Sequence, residues 1–344
     1  MPRYWMITDR DIQNGAPTSD VGDLSYWTSD QGPLDQISGW KSVTADQFKT
    51  QLLIAADQFP SVAPGDNAAQ KHVCFLVHGY NEGFADATHL YQSVSQSLFD
   101  GPNGLGVCIS MDWPSLGSIL GYEPDRDHAR EVASDVGDVF DVVHQTLLKR
   151  QRDTADDPTQ ACKAKVSIIA HSMGNYVVQK ALAAVWKRNN QPLSVSLINQ
   201  LVMVAADVDN DLYDAKSEDA SDGEAVANLS YRVTSLFSGR ADVLGASAGL
   251  KHFGTRRLGR SGLASRPPIE SDGTKRDNVW DVDCSSFFPA SVQGMKIHGA
   301  YFDAAGTLEL MREILKGTDR AVLETLGFTR GTAWPPKSAP PVRS

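Results

Sequence analysis

Long apolar runs are missing from this sequence. No stretch approaches the roughly 18 consecutive apolar residues a membrane span needs, so no integral membrane segment is expected. Residues Met1 to Arg10 lack the apolar core of a secretory signal, and the expected compartment is the cytoplasm. Cysteine is scarce: Cys74, Cys108, Cys162 and Cys284, with no pair in C-x-x-C spacing. The sequence signatures of a zinc site or a redox couple are therefore absent, and no metal or organic cofactor is expected. Cys74 and Cys108 sit inside apolar runs, where a free thiol packs as a small hydrophobe. Positive charge is also short, with 32 lysines and arginines against 42 aspartates and glutamates and a net charge of -10. Nucleic acid is not an expected partner, because no basic excess is available to displace counterions from phosphates. No strand-like run is followed by a glycine-rich phosphate loop, so P-loop and dinucleotide-binding enzymes are disfavoured.

Strand-like and helix-like segments alternate along most of the chain. That order predicts an α/β fold with a mostly parallel central sheet and helices on both faces. Tyr4–Thr8 and Leu24–Thr28 read as opening strands and 45–59 as a helix. Val73–Val77 and Gly106–Met111 are continuous apolar runs, the pattern of strands buried on both faces. Lys165–Ala170 is the best central strand, followed by a helix over Gly174–Arg188. Helical spacing also marks 85–99, 125–149 and 243–253. Further strands are expected at Leu201–Ala205, Tyr231–Phe237 and Val279–Val282, then a helix over 307–326 broken near Gly317. Residues 1–330 read as one domain with a catalytic core at about 70–327, and the Pro-rich tail 331–344 reads as disordered. Two segments of opposite charge, acidic 207–224 and basic 251–275, read as solvated loops.

The segment Ala170-His171-Ser172-Met173-Gly174 joins the best strand to its helix. A serine on such a strand-to-helix turn projects its hydroxyl above the sheet, and small residues two positions either side let neighbouring backbone pack close. Ala170 stands where the usual pattern has its first glycine. The following helix points its positive end at the site, which suits a developing oxyanion. A plain βα turn with a capping serine would look alike over five residues. The flanking strand and helix favour the nucleophile elbow.

Together with Leu76-Val-His-Gly-Tyr-Asn81, Asp112-Trp-Pro-Ser115, Val204-Ala-Ala-Asp207, Ser235–Asp242 and Ile297-His298, this segment resembles the α/β-hydrolase superfamily. It is similar in particular to a bacterial group of uncharacterised lipase- or esterase-like members. The likeness spans about residues 70–302. It implies the α/β-hydrolase fold, Ser172 as nucleophile, and an oxyanion hole formed by the amides of Tyr80 and Met173. Gly79 allows close backbone approach there, and His78 is expected to be structural.

The superfamily requires the chain order Ser, then Asp or Glu, then His. Only His252 and His298 follow Ser172. His252 lies too near a candidate acid on one helix-like stretch, whereas His298 lies in a loop past the last strand, where the resemblance places the base. Two aspartates follow strands in the right interval. Asp242 occupies the commoner position for the acid, and Asp207 is the alternative. Trp113 and Asn81 are candidates to line a substrate pocket, with packing under a loop an equal alternative for Trp113. The expected activity is hydrolysis of a carboxylic ester or lipid through an acyl-enzyme, with an apparent pKa of about 6 to 7.5 for the base. A thioesterase, amidase, peptidase or acyltransferase on the same triad is the alternative, and a catalytically silent binding module the remaining one.

Overall fold

The computed structural model describes residues 2–60, 69–116, 122–153, 164–188, 196–241, 256–270 and 272–328. Asp242, His252, the helix-like stretch 243–253 and the tail 331–344 lie outside them.

Nine strands form one sheet in the order β3-β2-β1-β5-β4-β6-β7-β8-β9. They are β1 (Tyr4–Gln13), β2 (Ala16–Ser29), β3 (Lys41–Val43), β4 (His72–Val77), β5 (Gly106–Asp112), β6 (Lys165–His171), β7 (Ile198–Val204), β8 (Ser230–Phe237) and β9 (Val279–Asp283). Only β2 runs against the rest: it pairs antiparallel with both β1 and β3, and every other contact is parallel. This is the mostly parallel sheet expected from the alternating pattern, and the architecture that the resemblance to α/β hydrolases implies.

Side chains alternate across a strand, and the core divides accordingly. Val73, Phe75 and Val77 of β4 join one apolar layer, with Val166, Ile168 and Ala170 of β6. Cys74 and Leu76 join the other, with Ile169. Helices α1 (Ala45–Asp57), α3 (Tyr122–Asp153) and α4 (Gly174–Arg188) cover the first layer through residues such as Phe48, Phe140 and Val177. Helix α2 (Phe84–Val94) and the later helix α8 (Ala305–Leu315) cover the second through Tyr91, Leu310 and Met311. All six residues of β4 are buried, which explains the unbroken apolar run that follows His72. Cys74 and Cys108 are free, buried thiols, as expected.

Two boundaries differ from the sequence reading. The helix expected over 85–99 is α-helical only to Val94 and continues as a π turn over Ser95–Phe99. The last helical stretch divides into α8 and α9 (Arg320–Thr325), with Gly317 between them at φ 77°. That left-handed residue closes α8 as glycine commonly does.

The charged segments are not two solvated loops. The acidic one contains helix α5 (Ala220–Leu229), and Asp219 and Asp222 pair with Lys180 of α4. Arg257, at the start of the short helix α6 (Leu258–Ser261), is 2% exposed and pairs with Asp207 and Asp209. Opposite charges drawn from distant sequence are buried together, where pairing offsets their desolvation. Among the described residues no helix is long and apolar enough to cross a membrane.

Candidate active site

β6 ends at His171 and α4 starts at Gly174, so only Ser172 and Met173 make the turn. Ser172 sits at φ 51°, a left-handed conformation rare for a non-glycine residue. The surroundings hold it there. Its amide donates to Val204 O (3.0 Å), and its carbonyl accepts from the Asp207 amide (3.1 Å). The Asn175 side chain donates to the carbonyls of Ala170 (2.9 Å) and Ser172 (3.1 Å). Gly174 packs so closely that a Cβ there would overlap the carbonyls of Val77 and His78. The small residue at this motif position therefore has a steric cause.

The loop after β4 meets the elbow from above. A Cβ on Gly79 would lie 2.8 Å from Ser172 Cβ. His78 braces the loop: Nδ1 lies 3.0 Å from Gly79 O, and its ring stacks on Trp113 (centroids 5.4 Å, interplanar angle 10°). Asp112 Oδ1 lies 3.1 Å from His78 Nε2 and accepts from Arg10 Nε at 3.0 Å. Burial would raise the Asp112 carboxyl, but Arg10 and the His78 hydrogen bond outweigh it and hold it below the ordinary range. Arg10 also donates to the carbonyls of Ser115 and Glu82. Trp113 is wholly buried and donates from Nε1 to His78 O (2.8 Å), so it packs beneath the loop rather than facing a cleft. Asn81, at φ 62°, has a buried Oδ1 without a hydrogen-bond partner among the described residues. The Tyr80 ring meets Tyr122 edge-on at 5.5 Å.

His298 belongs to the short helix α7 (Met295–Gly299) after β9. Its Nε2 lies 2.7 Å from Ser172 Oγ across 126 residues of sequence. Burial, and then the charge of His171, lower the His298 pKa to about 3, while Asp207 and Glu82 act in the opposite sense. Among the described residues its buried Nδ1 has no hydrogen-bond partner. Asp207 is 2% exposed. It accepts from the Tyr122 hydroxyl at Oδ2 (2.8 Å) and pairs through Oδ1 with Arg257 Nε (3.2 Å). Asp242 lies outside the described residues.

The sequence reading missed Arg10, Glu82, His171 and Tyr122. His171 Nδ1 lies 3.2 Å from Glu82 Oε1, and its Nε2 3.0 Å from His298 O. Glu82 had one local signal, four residues beyond His78 in the same loop. Arg10 and Tyr122 had none, because only the sheet and the placement of α3 bring them here.

A mostly parallel sheet with a serine elbow at the carboxyl end of a central strand defines the class as α/β hydrolase. The chain belongs to the family described as alpha/beta hydrolase of unknown function (DUF900), which matches residues 65–303. No curated protein matches the chain. Solved structures with some likeness include an esterase from Pyrobaculum calidifontis at 10% identity and TM-score 0.34, covering 79% of this chain and 91% of that one. The phospholipase PlaB of Legionella pneumophila shares 16% identity at TM-score 0.29, covering 54% of this chain and 42% of that one. An acylaminoacyl peptidase from Pyrococcus horikoshii shares 11% at TM-score 0.32, covering 88% and 47%. Values this low carry no argument about chemistry.

Proposed function

We propose that the protein is a serine hydrolase that cleaves carboxylic esters through an acyl-enzyme on Ser172. The observation that carries this reading is the 2.7 Å contact between His298 Nε2 and Ser172 Oγ on a left-handed elbow. The serine hydroxyl donates to a neutral imidazole at rest. As Oγ attacks the ester carbonyl, His298 takes its proton, then returns it to the leaving alcohol. Water repeats the sequence on the acyl-enzyme and frees Ser172. The carbonyl oxygen becomes an oxyanion against the amides of Met173 and Tyr80. Support for this hole is the close approach of Gly79 to Ser172 and the N-terminal end of α4 directly behind Met173. One such donor is worth about 3 kcal/mol in the transition state.

For the acid we propose Asp242, with Asp207 a brace. Asp207 is engaged by Arg257 and Tyr122, and its amide holds Ser172 O. A carboxylate facing a guanidinium is a weaker partner for a developing imidazolium. The test is labelling with a fluorophosphonate probe and hydrolysis of p-nitrophenyl esters of graded chain length. Label mapped to Ser172, and loss of both label and hydrolysis in Ser172→Ala, is the expected result. An adduct on another serine rejects the reading.

A further inference from the structure

Among the described residues, few groups hold the ring of His298, the proposed base. Its Nε2 bonds to Ser172, and Nδ1 has no hydrogen-bond partner there. Helix α7 is only five residues long, starts after Gly294 at φ 60°, and lacks a side-chain cap. The position of the imidazole therefore depends also on what fastens its main chain. His171 Nε2 lies 3.0 Å from the His298 carbonyl, and the two rings sit 4.9 Å apart at 43°.

His171 is itself held on three sides. Its Nδ1 faces Glu82 Oε1 at 3.2 Å, and its ring meets Phe302 edge-on at 5.3 Å. Its backbone is the last residue of β6. Both ring nitrogens face acceptors, a carboxylate and a carbonyl. A neutral imidazole has one N–H and can satisfy only one of them; the imidazolium satisfies both. Glu82 supplies the counter-charge. Burial would raise its carboxyl, but the His171 hydrogen bond and the charges of His171, His78 and His298 outweigh that and lower it. The loop bearing Glu82 is tied down in turn, because Arg10 Nη2 donates to Glu82 O at 3.1 Å.

We infer that Glu82 and His171 are positioning residues for the base: His171, braced by Glu82, donates from Nε2 to the His298 carbonyl and so keeps the His298 ring on Ser172. The inference rests on the serine hydrolase reading. It extends that reading by linking the loop after β4, the end of β6 and α7 into one support. The two members of the pair act on the His298 pKa in opposite senses, His171 lowering it and Glu82 raising it. The other charged groups facing this cluster are His78, against Glu82 at 3.8 Å, and Asp207, whose charge acts on His298 in the opposite sense.

The experiment compares wild type, Glu82→Gln, Glu82→Ala and His171→Leu in hydrolysis of p-nitrophenyl acetate across pH, with fluorophosphonate labelling alongside. Glu82→Gln can donate from its amide to a neutral His171, which still donates to His298. It is expected to keep kcat within about threefold, since the bond to the His298 carbonyl survives. Glu82→Ala and His171→Leu are expected to lower kcat about ten- to a hundredfold, with KM within about twofold, because the base is misplaced. In ¹⁵N-histidine NMR of the wild-type protein, His171 is expected to show a protonated Nε2, the nitrogen that faces the His298 carbonyl. That measurement stands even if the leucine variant fails to fold. Equal kcat in all variants, or a His171 Nε2 without a proton, overturns the positioning role alone. Wild-type protein that does not label at Ser172 overturns the hydrolase reading and this inference with it.

Discussion

Asn14 and Ser172 share a backbone conformation, φ 51° in each, but arrive at it by different routes. Asn14 and Gly15 (φ 75°) form the two-residue loop between β1 and β2, where Gln13 pairs with Ala16. Asn-Gly is the preferred pair for a hairpin turn with two left-handed residues, so local chemistry suffices. Ser172 has no such propensity. Its left-handed geometry costs about 1–2 kcal/mol and persists because β7, the Asp207 amide and the Asn175 side chain grip it. The same two regions each hold a buried ionisable group in its neutral form. His298 is pushed down to about 3, chiefly by burial. Asp9 of β1, both of whose oxygens lack a hydrogen-bond partner, is pushed up to about 8 by burial and then by Asp135 and Asp112. At the elbow the neutral group faces a nucleophile. At Asp9 it faces nothing the proposed chemistry uses. Imposed strain coincides with the candidate chemistry, and locally encoded strain does not.

The sharpest way to break that comparison is Ser172→Gly. It is expected to lower turnover by about 10⁶-fold, as loss of a triad nucleophile does elsewhere. Its melting temperature should equal or exceed that of wild type, because glycine accepts φ 51° without strain. A drop of several degrees would show that the elbow is not strained. Next in size is the choice of acid. Asp242→Asn should reduce kcat by up to about 10⁴-fold in a folded protein. Asp207→Asn should keep most of its turnover but melt earlier, because Arg257 loses a buried partner. The reverse outcome would exchange the two roles.

Titration separates the two regions by sign. With the His298 pKa lowered to about 3, esterase activity should already be flat at pH 6, below the range of about 6 to 7.5 that an ordinary histidine base would give. A limb near pH 7 would instead show that a carboxylate at Nδ1 restores the base. For stability, His298 and the fully buried His72, also lowered to about 3 mainly by burial, bind protons more tightly when unfolded. Stability should therefore rise with pH between about 3 and 6.5. Asp9 works the other way. Its folded form holds the proton longer, so its contribution is present below about pH 4 and is lost as pH rises through about 8. Thermal melts should find Asp9→Asn stabilising, with a larger gain at pH 9 than at pH 4. The smallest effect is at the hairpin. Asn14→Ala should cost about 1 kcal/mol in denaturant unfolding and leave turnover unchanged, while Asn14→Gly should be close to neutral.

Much of the fold was legible because its signals are local. A five-residue apolar run such as Val73–Val77, repeated in alternation with helical segments, fits strands buried on both faces of a parallel sheet, and each strand expected from such a run is present. The π turn at Ser95–Phe99 had no local signal, because π and α turns share the same apolar spacing. The buried Arg257 cluster was misread for a related reason: charge along a sequence says nothing of which opposite charge it will meet.

Within the candidate site, residues 170–174 carried their own evidence, since a small-x-Ser-x-small turn between strand and helix constrains backbone through steric contact alone. Chain order narrowed the base to His252 or His298. The sequence by itself thus determined the layered sheet, the elbow and the short set of residues able to serve it. Only the tertiary structure decided that His298 stands 2.7 Å from Ser172, that Trp113 lies under the loop, and that Arg10, Glu82 and His171 support the site. The physical reason is distance along the chain. Local sequence sets backbone conformation over a few residues, whereas Arg10 and Glu82, or His171 and His298, become neighbours only when separate strands enter one sheet in register.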